Sequence, residues 1–130
     1  MDAIRFAYTM IRVRDLDRSL KFYTGTMGMN LLGRRDYPEG RFTLAFVGYG
    51  EKSDTPTIEL TYNWDRRGYD LGNGFGHIAF AVPDVYKAVE AFAAAGAKIV
   101  RPAGPMNHGA EVIAFLLDPD GYRIEIVEQH

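Results

Sequence analysis

The chain repeats its own pattern, and that repeat limits the fold more than composition does. Tyr8–Leu16 overlays His77–Val85 at a constant offset of 69 with no gap. The same offset pairs Leu20 with Val89, Tyr23 with Phe92, Ala45 with Ala114 and Phe46 with Phe115. Gly28 meets Gly96 after a one-residue slip, and Ile58-Glu59-Leu60 meets Ile124-Glu125-Ile126 at an offset of 66. Few pairs are identical; what survives is the order of apolar positions, Asp and Gly. Two copies of so long a unit are too few for a solenoid, which needs three or more. The reading is one domain over residues 1–130, built from module one (1–70) and module two (71–130).

Each module carries the same elements in order. A strand over 5–13 or 76–82 ends just before Asp15 or Asp84, each suited to cap a helix by accepting a backbone N–H. The first helix carries Leu16, Leu20, Tyr23 and Met27 on one stripe, and the second carries Val85, Val89 and Phe92. Gly28 and Gly96 stand where a left-handed C-terminal residue is wanted. Three strands follow in each module, over 30–36, 42–48 and 57–63, then over 97–101, 111–117 and 122–128. Tyr37-Pro38-Glu39-Gly40 and Asp118-Pro119-Asp120-Gly121 mark turns between them. This predicts an α+β fold of paired βαβββ modules whose small sheets curl into a shared cup, with Asp65–Gly68 as the linker.

Composition narrows the chemistry. Hydrophobic residues make up 47% and charged residues 25% of the 130, the balance of an ordinary globular domain. No apolar run is long enough to span a bilayer. Lys and Arg total 15 against 17 Asp and Glu, a formal charge of -2, so nucleic acid and anionic membrane are not expected partners. The opening Met1–Arg5 lacks a secretory pattern. The absence of Cys excludes disulfide scaffolds, thiol catalysis and Cys-ligated zinc, and makes the cytosol the expected compartment. Chemistry falls to His, the carboxylates, Arg and Tyr.

Alternation assigns the faces. In Thr57–Asn63 the odd positions are polar and the even ones apolar, so Glu59 shares a face with Thr57, Thr61 and Asn63. Glu125 repeats this between Ile124 and Ile126. His77, Ala79 and Ala81 lie opposite the packed Ile78, Phe80 and Val82, and Tyr8, Met10 and Arg12 take the equivalent face of module one. A pseudo-twofold relation would gather Tyr8, Glu59, His77 and Glu125 on one concave surface. Taken singly, a Glu on a strand is a solvated residue and a His at a strand start is a surface one. Their equivalence by repeat changes that, because two carboxylates held close repel and a cation relieves the cost. One imidazole and two carboxylates suit a divalent ion with N/O ligands. His108 and His130 fit no such pattern and are expected at the surface.

Thr9–Val13, Leu44–Gly50, Ile58–Asn63, Gly74–Ile78 and Asp118–Tyr122 together resemble the glyoxalase I (lactoylglutathione lyase) family of the vicinal oxygen chelate superfamily, in its short bacterial form. The resemblance covers essentially the whole chain. It implies a homodimer with active sites at the interface, each drawing ligands from both subunits, and a metal held by two His and two Glu. Glu59, His77 and Glu125 match three ligands; Arg12 and Asn63 match residues that hold glutathione. Nickel or cobalt is favoured and zinc is possible. The implied reaction is methylglyoxal detoxification: the glutathione hemithioacetal becomes S-lactoylglutathione by proton transfer through a metal-stabilised enediolate, with Glu125 as general base and Glu59 as its symmetry mate.

The fourth ligand position holds Tyr8 instead of His. A phenol of pKa about 10 must lose its proton before it binds well. Three outcomes stand open: phenolate ligation, water in that position, or a lost metal site. The alternative function is therefore a weak or inactive relative that binds glutathione conjugates or another small molecule. Another chelate-superfamily activity, such as an extradiol dioxygenase or an antibiotic-modifying thiol transferase, is less favoured; an iron site with two His finds only one at a ligand position. Cations for the glycyl carboxylate of glutathione are hard to assign: Asn73 stands where some relatives have Arg, and Arg101 and His108 punctuate the later loop.

Overall fold

Each half of the chain folds as a strand, a helix and three further strands. The computed structural model describes residues 3–51, 55–107, 109 and 111–129. In the first half, β1 (Tyr8–Arg12) leads to α1 (Leu16–Leu20), which runs into a π-helical turn (Lys21–Thr26). Then come β2 (Asn30–Tyr37), β3 (Phe42–Gly48) and β4 (Thr57–Asn63). The second half has β5 (His77–Val82), α2 (Val85–Ala94), β6 (Lys98–Pro105), β7 (Val112–Leu117) and β8 (Arg123–Glu128). The sheets are ordered β1-β4-β3-β2 and β5-β8-β7-β6. In both, the first and last strands of the half pair in parallel and the remaining pairs are antiparallel. The chain divides into two compact units, Met1–Asp70 and Leu71–His130.

The one-residue slip between Gly28 and Gly96 has a structural cause. Asp15 and Asp84 both cap their helices, accepting from the N–H of Arg18 and Lys87 at 3.1 Å. Module one has one more residue than module two between cap and glycine, and the π turn absorbs it with a Met27 N–H bond to the Phe22 carbonyl. Thr24 Oγ1 donates to the Leu20 carbonyl at 2.6 Å, a further acceptor partner within the widened turn. Both glycines then adopt positive φ, 73° and 94°, and end the helices. Of the expected stripe, Leu16, Tyr23 and Met27 are buried, joined by Phe22 and Ser19. The helix-facing strand positions Ala45, Leu60, Ala114, Leu116, Ile124 and Ile126 are fully enclosed.

Two elements differ from expectation. β6 runs to Pro105 rather than stopping at 101, with register shifts on either side of Arg101. Pro102 and Pro105 are tolerated because β6 is an edge strand. The Tyr37–Gly40 turn extends to Arg41, which takes the left-handed conformation (φ 58°) that a glycine more often supplies. A Cβ at Gly40 would meet the Phe42 ring, which would have to move to admit it.

The turn into β8 is held by one carboxylate. Asp118 is buried, and its Oδ1 accepts from the backbone N–H of Asp120 and of Tyr122, both at 2.9 Å. Asp118→Ala leaves two donors without this acceptor and is expected to cost about 2–3 kcal/mol. The cap variant Asp84→Ala should cost about 1 kcal/mol. Urea denaturation of the two variants side by side checks the order.

Candidate functional site

In the first unit the half-site is built by strand pairing. β1 and β4 run side by side with Tyr8 beside Thr57, Met10 beside Glu59 and Arg12 beside Thr61. On the other side of β4, Phe46 of β3 pairs with Glu59. Paired residues share a face, so Tyr8, Glu59, Arg12 and Phe46 stand together. The Tyr8 and Phe46 rings meet edge-on at 5.4 Å although a whole strand separates them, so they lean toward each other across β4. Glu59 on the same face is 9% exposed, and its Oε1 accepts from Thr61 Oγ1 at 3.2 Å. The expected polar face of β4 is thus enclosed, with Thr57, Glu59 and Thr61 all buried on this central strand.

The second unit repeats this lattice. His77 pairs with Arg123, Ala79 with Glu125, and Phe115 of β7 with Glu125. His77 and Phe115 meet edge-on at 5.2 Å, matching Tyr8 and Phe46. His77 Nε2 lies 3.2 Å from Glu125 Oε1. The phenol of Tyr8 therefore occupies in its own sheet the place that the imidazole holds in the other.

Glu59 belongs to the first unit, and His77 and Glu125 to the second. Among the described residues, no group of three or more His, Asp or Glu side chains of the chain gathers to hold a metal ion. Alternation fixes faces within a sheet; it carries no information on how two sheets meet. His108 and His130 lie outside the described residues. Arg101 is committed elsewhere: its guanidinium donates to the carbonyls of Pro102, Gly104, Pro105 and Ile113 at 2.8–3.1 Å. A cleft of about 310 Å³ lined by Arg14, Asp17, Arg34 and Tyr62 opens on the helix side of the first sheet, away from Glu59. Sequence reasoning paired Phe46 with Phe115 but did not place them at the half-sites; it set Thr61 on the Glu59 face but passed over Arg123. The aromatic pair at a shared offset was the available signal.

Residues 5–126 match the Glyoxalase/Bleomycin resistance protein/Dioxygenase superfamily. The chain is 56% identical over 126 residues to a lactoylglutathione lyase of Neisseria meningitidis, covering 97% of this chain and 91% of that one. It is 59% identical over 121 residues to a probable lactoylglutathione lyase of Synechocystis, covering 93% and 92%. The chain belongs to the glyoxalase I family. Among solved structures, glyoxalase I of Zea mays superposes with a TM-score of 0.92 at 46% identity, over 96% of this chain. This chain spans 44% of the length of that maize chain. The trypanothione-dependent glyoxalase I of Leishmania major superposes at 0.85 with 40% identity, covering 97% of this chain and 87% of that one. Among the described residues, no helix is long and apolar enough to cross a membrane.

Asn63 sits at the end of β4, where its Nδ2 donates to the Tyr69 hydroxyl at 2.8 Å. The corner after it is tied back to the β2–β3 turn. Trp64 donates its backbone N–H to the Arg41 carbonyl and its indole N–H to Thr43 Oγ1, and the Arg41 guanidinium makes a two-point pair with Asp65. Hydrogen bonding from Arg41 holds the Asp65 carboxyl below its ordinary pKa, and Asp65 raises that of Arg41. With the folded value below the unfolded one, the pair adds stability above about pH 4, and loses it as pH falls through the folded value. The increment is small because both groups are in solvent. Asp65→Asn is expected to remove this acid-side dependence; urea midpoints measured in a series between about pH 2 and 5 check it.

Proposed function

We propose that the chain is a divalent-metal-dependent lyase that rearranges the hemithioacetal of methylglyoxal and glutathione to S-lactoylglutathione. The observation that carries this reading is the His77–Glu125 pair, repeated in the other sheet by Tyr8 and Glu59 on one face. Relatives named lactoylglutathione lyase at 56% and 59% identity support it. The donor set suits a cation. A nitrogen and an oxygen 3.2 Å apart are spaced like neighbouring ligands of one ion with bonds of about 2.1 Å. His77, Glu125 and Glu59 would hold the ion, nickel or cobalt favoured and zinc possible. When bound, it supplies Lewis-acid stabilisation of the charge that develops on the two adjacent substrate oxygens.

The protein's own groups move the proton and hold the substrate. Glu125 takes the proton from the carbon bearing sulfur and returns it to the adjacent carbon. One of its oxygens faces His77, which leaves the other for the proton. Glu59, restrained by Thr61, serves the other prochiral face. Arg12 pairs with the glutamyl carboxylate of glutathione, and Asn63, oriented by Tyr69, hydrogen-bonds the same portion. Glutathione is the thiol buffer of the cytosol, so the proposal carries a cytosolic location with it.

The site is completed in a homodimer, with the Glu59 half of one copy meeting the His77–Glu125 half of another. An exposed apolar row supports self-association: Ile4 is 84% exposed, Phe6 73%, Tyr8 47% and Met10 37%, at alternate positions on and before β1. Tyr8 stands where the family has a fourth His ligand, and since a phenol is a poorer ligand than an imidazole, water would fill that position of a bound ion. That substitution also sustains a second reading, a protein that binds glutathione conjugates without turning them over.

Thioester absorbance should report isomerisation that chelation abolishes and nickel, cobalt or zinc restores. Glu125→Gln is expected to lower kcat by about 10²–10⁴-fold. Binding of a glutathione thioether without turnover by any metal form favours the second reading. Tyr8→His should raise metal affinity and kcat together; if both stay flat, water does not fill that position.

A further inference from the structure

The face that carries His77 and Glu125 also carries a cation that the proposed reaction does not use. Arg123 pairs with His77 across one side of β8 and with Leu117 across the other, and it precedes Glu125 by two residues, on the same face. Its guanidinium carbon stands 4.7 Å from the centroid of the Phe115 ring, the same ring that His77 meets edge-on. Arg123 is exposed, and among the described residues no carboxylate or carbonyl accepts from its guanidinium. The contrast with Arg101 is direct, since four backbone carbonyls accept from that side chain. The repeat places Thr57 at the equivalent position beside Tyr8, so this cation belongs to one half-site only. Stacking on Phe115 fixes the guanidinium plane and leaves its N–H edges for a planar anion.

We propose that Arg123 is a specificity residue that holds a carboxylate of the bound hemithioacetal beside the His77–Glu125 pair. The inference rests on the lyase reading given above. A carboxylate can come from the thiol or from the oxoaldehyde, and two measurements separate the sources.

In the first, the purified protein is titrated calorimetrically with S-hexylglutathione and with its C-terminal amide. A thiol source predicts that Arg123→Gln weakens S-hexylglutathione binding about 10- to 100-fold, that Arg123→Lys recovers part of the loss, and that the amide binds wild type as weakly as the Gln variant binds the parent. In the second, kcat/KM is compared for methylglyoxal and a carboxylate-bearing 2-oxoaldehyde. An oxoaldehyde source predicts that Arg123→Gln lowers the preference for the charged substrate by a similar factor. Melting temperatures of the variants are expected to match wild type. Unchanged affinity in the first and unchanged preference in the second overturn the inference and leave the lyase reading standing. Failure of wild type to bind S-hexylglutathione overturns both.

Discussion

Parallel pairing of the first and last strands in each half is the constraint on which the rest depends. Within a parallel pair, neighbouring side chains point to one face, so β1 beside β4 sets Tyr8 and Arg12 with Glu59, and β5 beside β8 sets His77 with Glu125. A parallel connection needs a long crossover, and the helix and two intervening strands supply it. The apolar faces of the same strands close over the helices, so the register that buries Leu60 and Ile124 also aims the carboxylates. A slip of one residue would exchange the core and the half-site.

Duplication supplied two equivalent lattices, and substitution has made them different. In both, an aromatic ring on the third strand meets the leading residue of the first strand across the fourth, at 5.4 and 5.2 Å. Glu59 is buried and accepts from Thr61, whereas Glu125 faces an imidazole. Thr57 in one half is Arg123 in the other. Equivalent carboxylates thus stand in unequal surroundings.

Most of the fold was legible in the chain. The repeat, the two capping Asp residues, the two glycines and the turn sequences marked βαβββ twice, because each acts through its immediate neighbours. The π turn was foreshadowed by the slip between Gly28 and Gly96, but a spacing does not say how a helix takes in an extra residue. β6 continues past 101 through Pro102 and Pro105, and only an edge position makes those residues compatible with a strand. Arg101 looked available as a lone cation; folding delivers it to four carbonyls.

The amino-acid order by itself determined which residues face one another within each sheet, since alternation and periodicity are local geometry. It therefore named Glu59, His77 and Glu125, and the family resemblance, before any coordinate. Tertiary structure decided what the side chains on those faces touch: the edge-on meeting of Tyr8 and Phe46, the 3.2 Å approach of His77 to Glu125, and the stacking of Arg123 on Phe115. These are contacts between strands brought side by side by packing, and a one-dimensional pattern does not encode their distances.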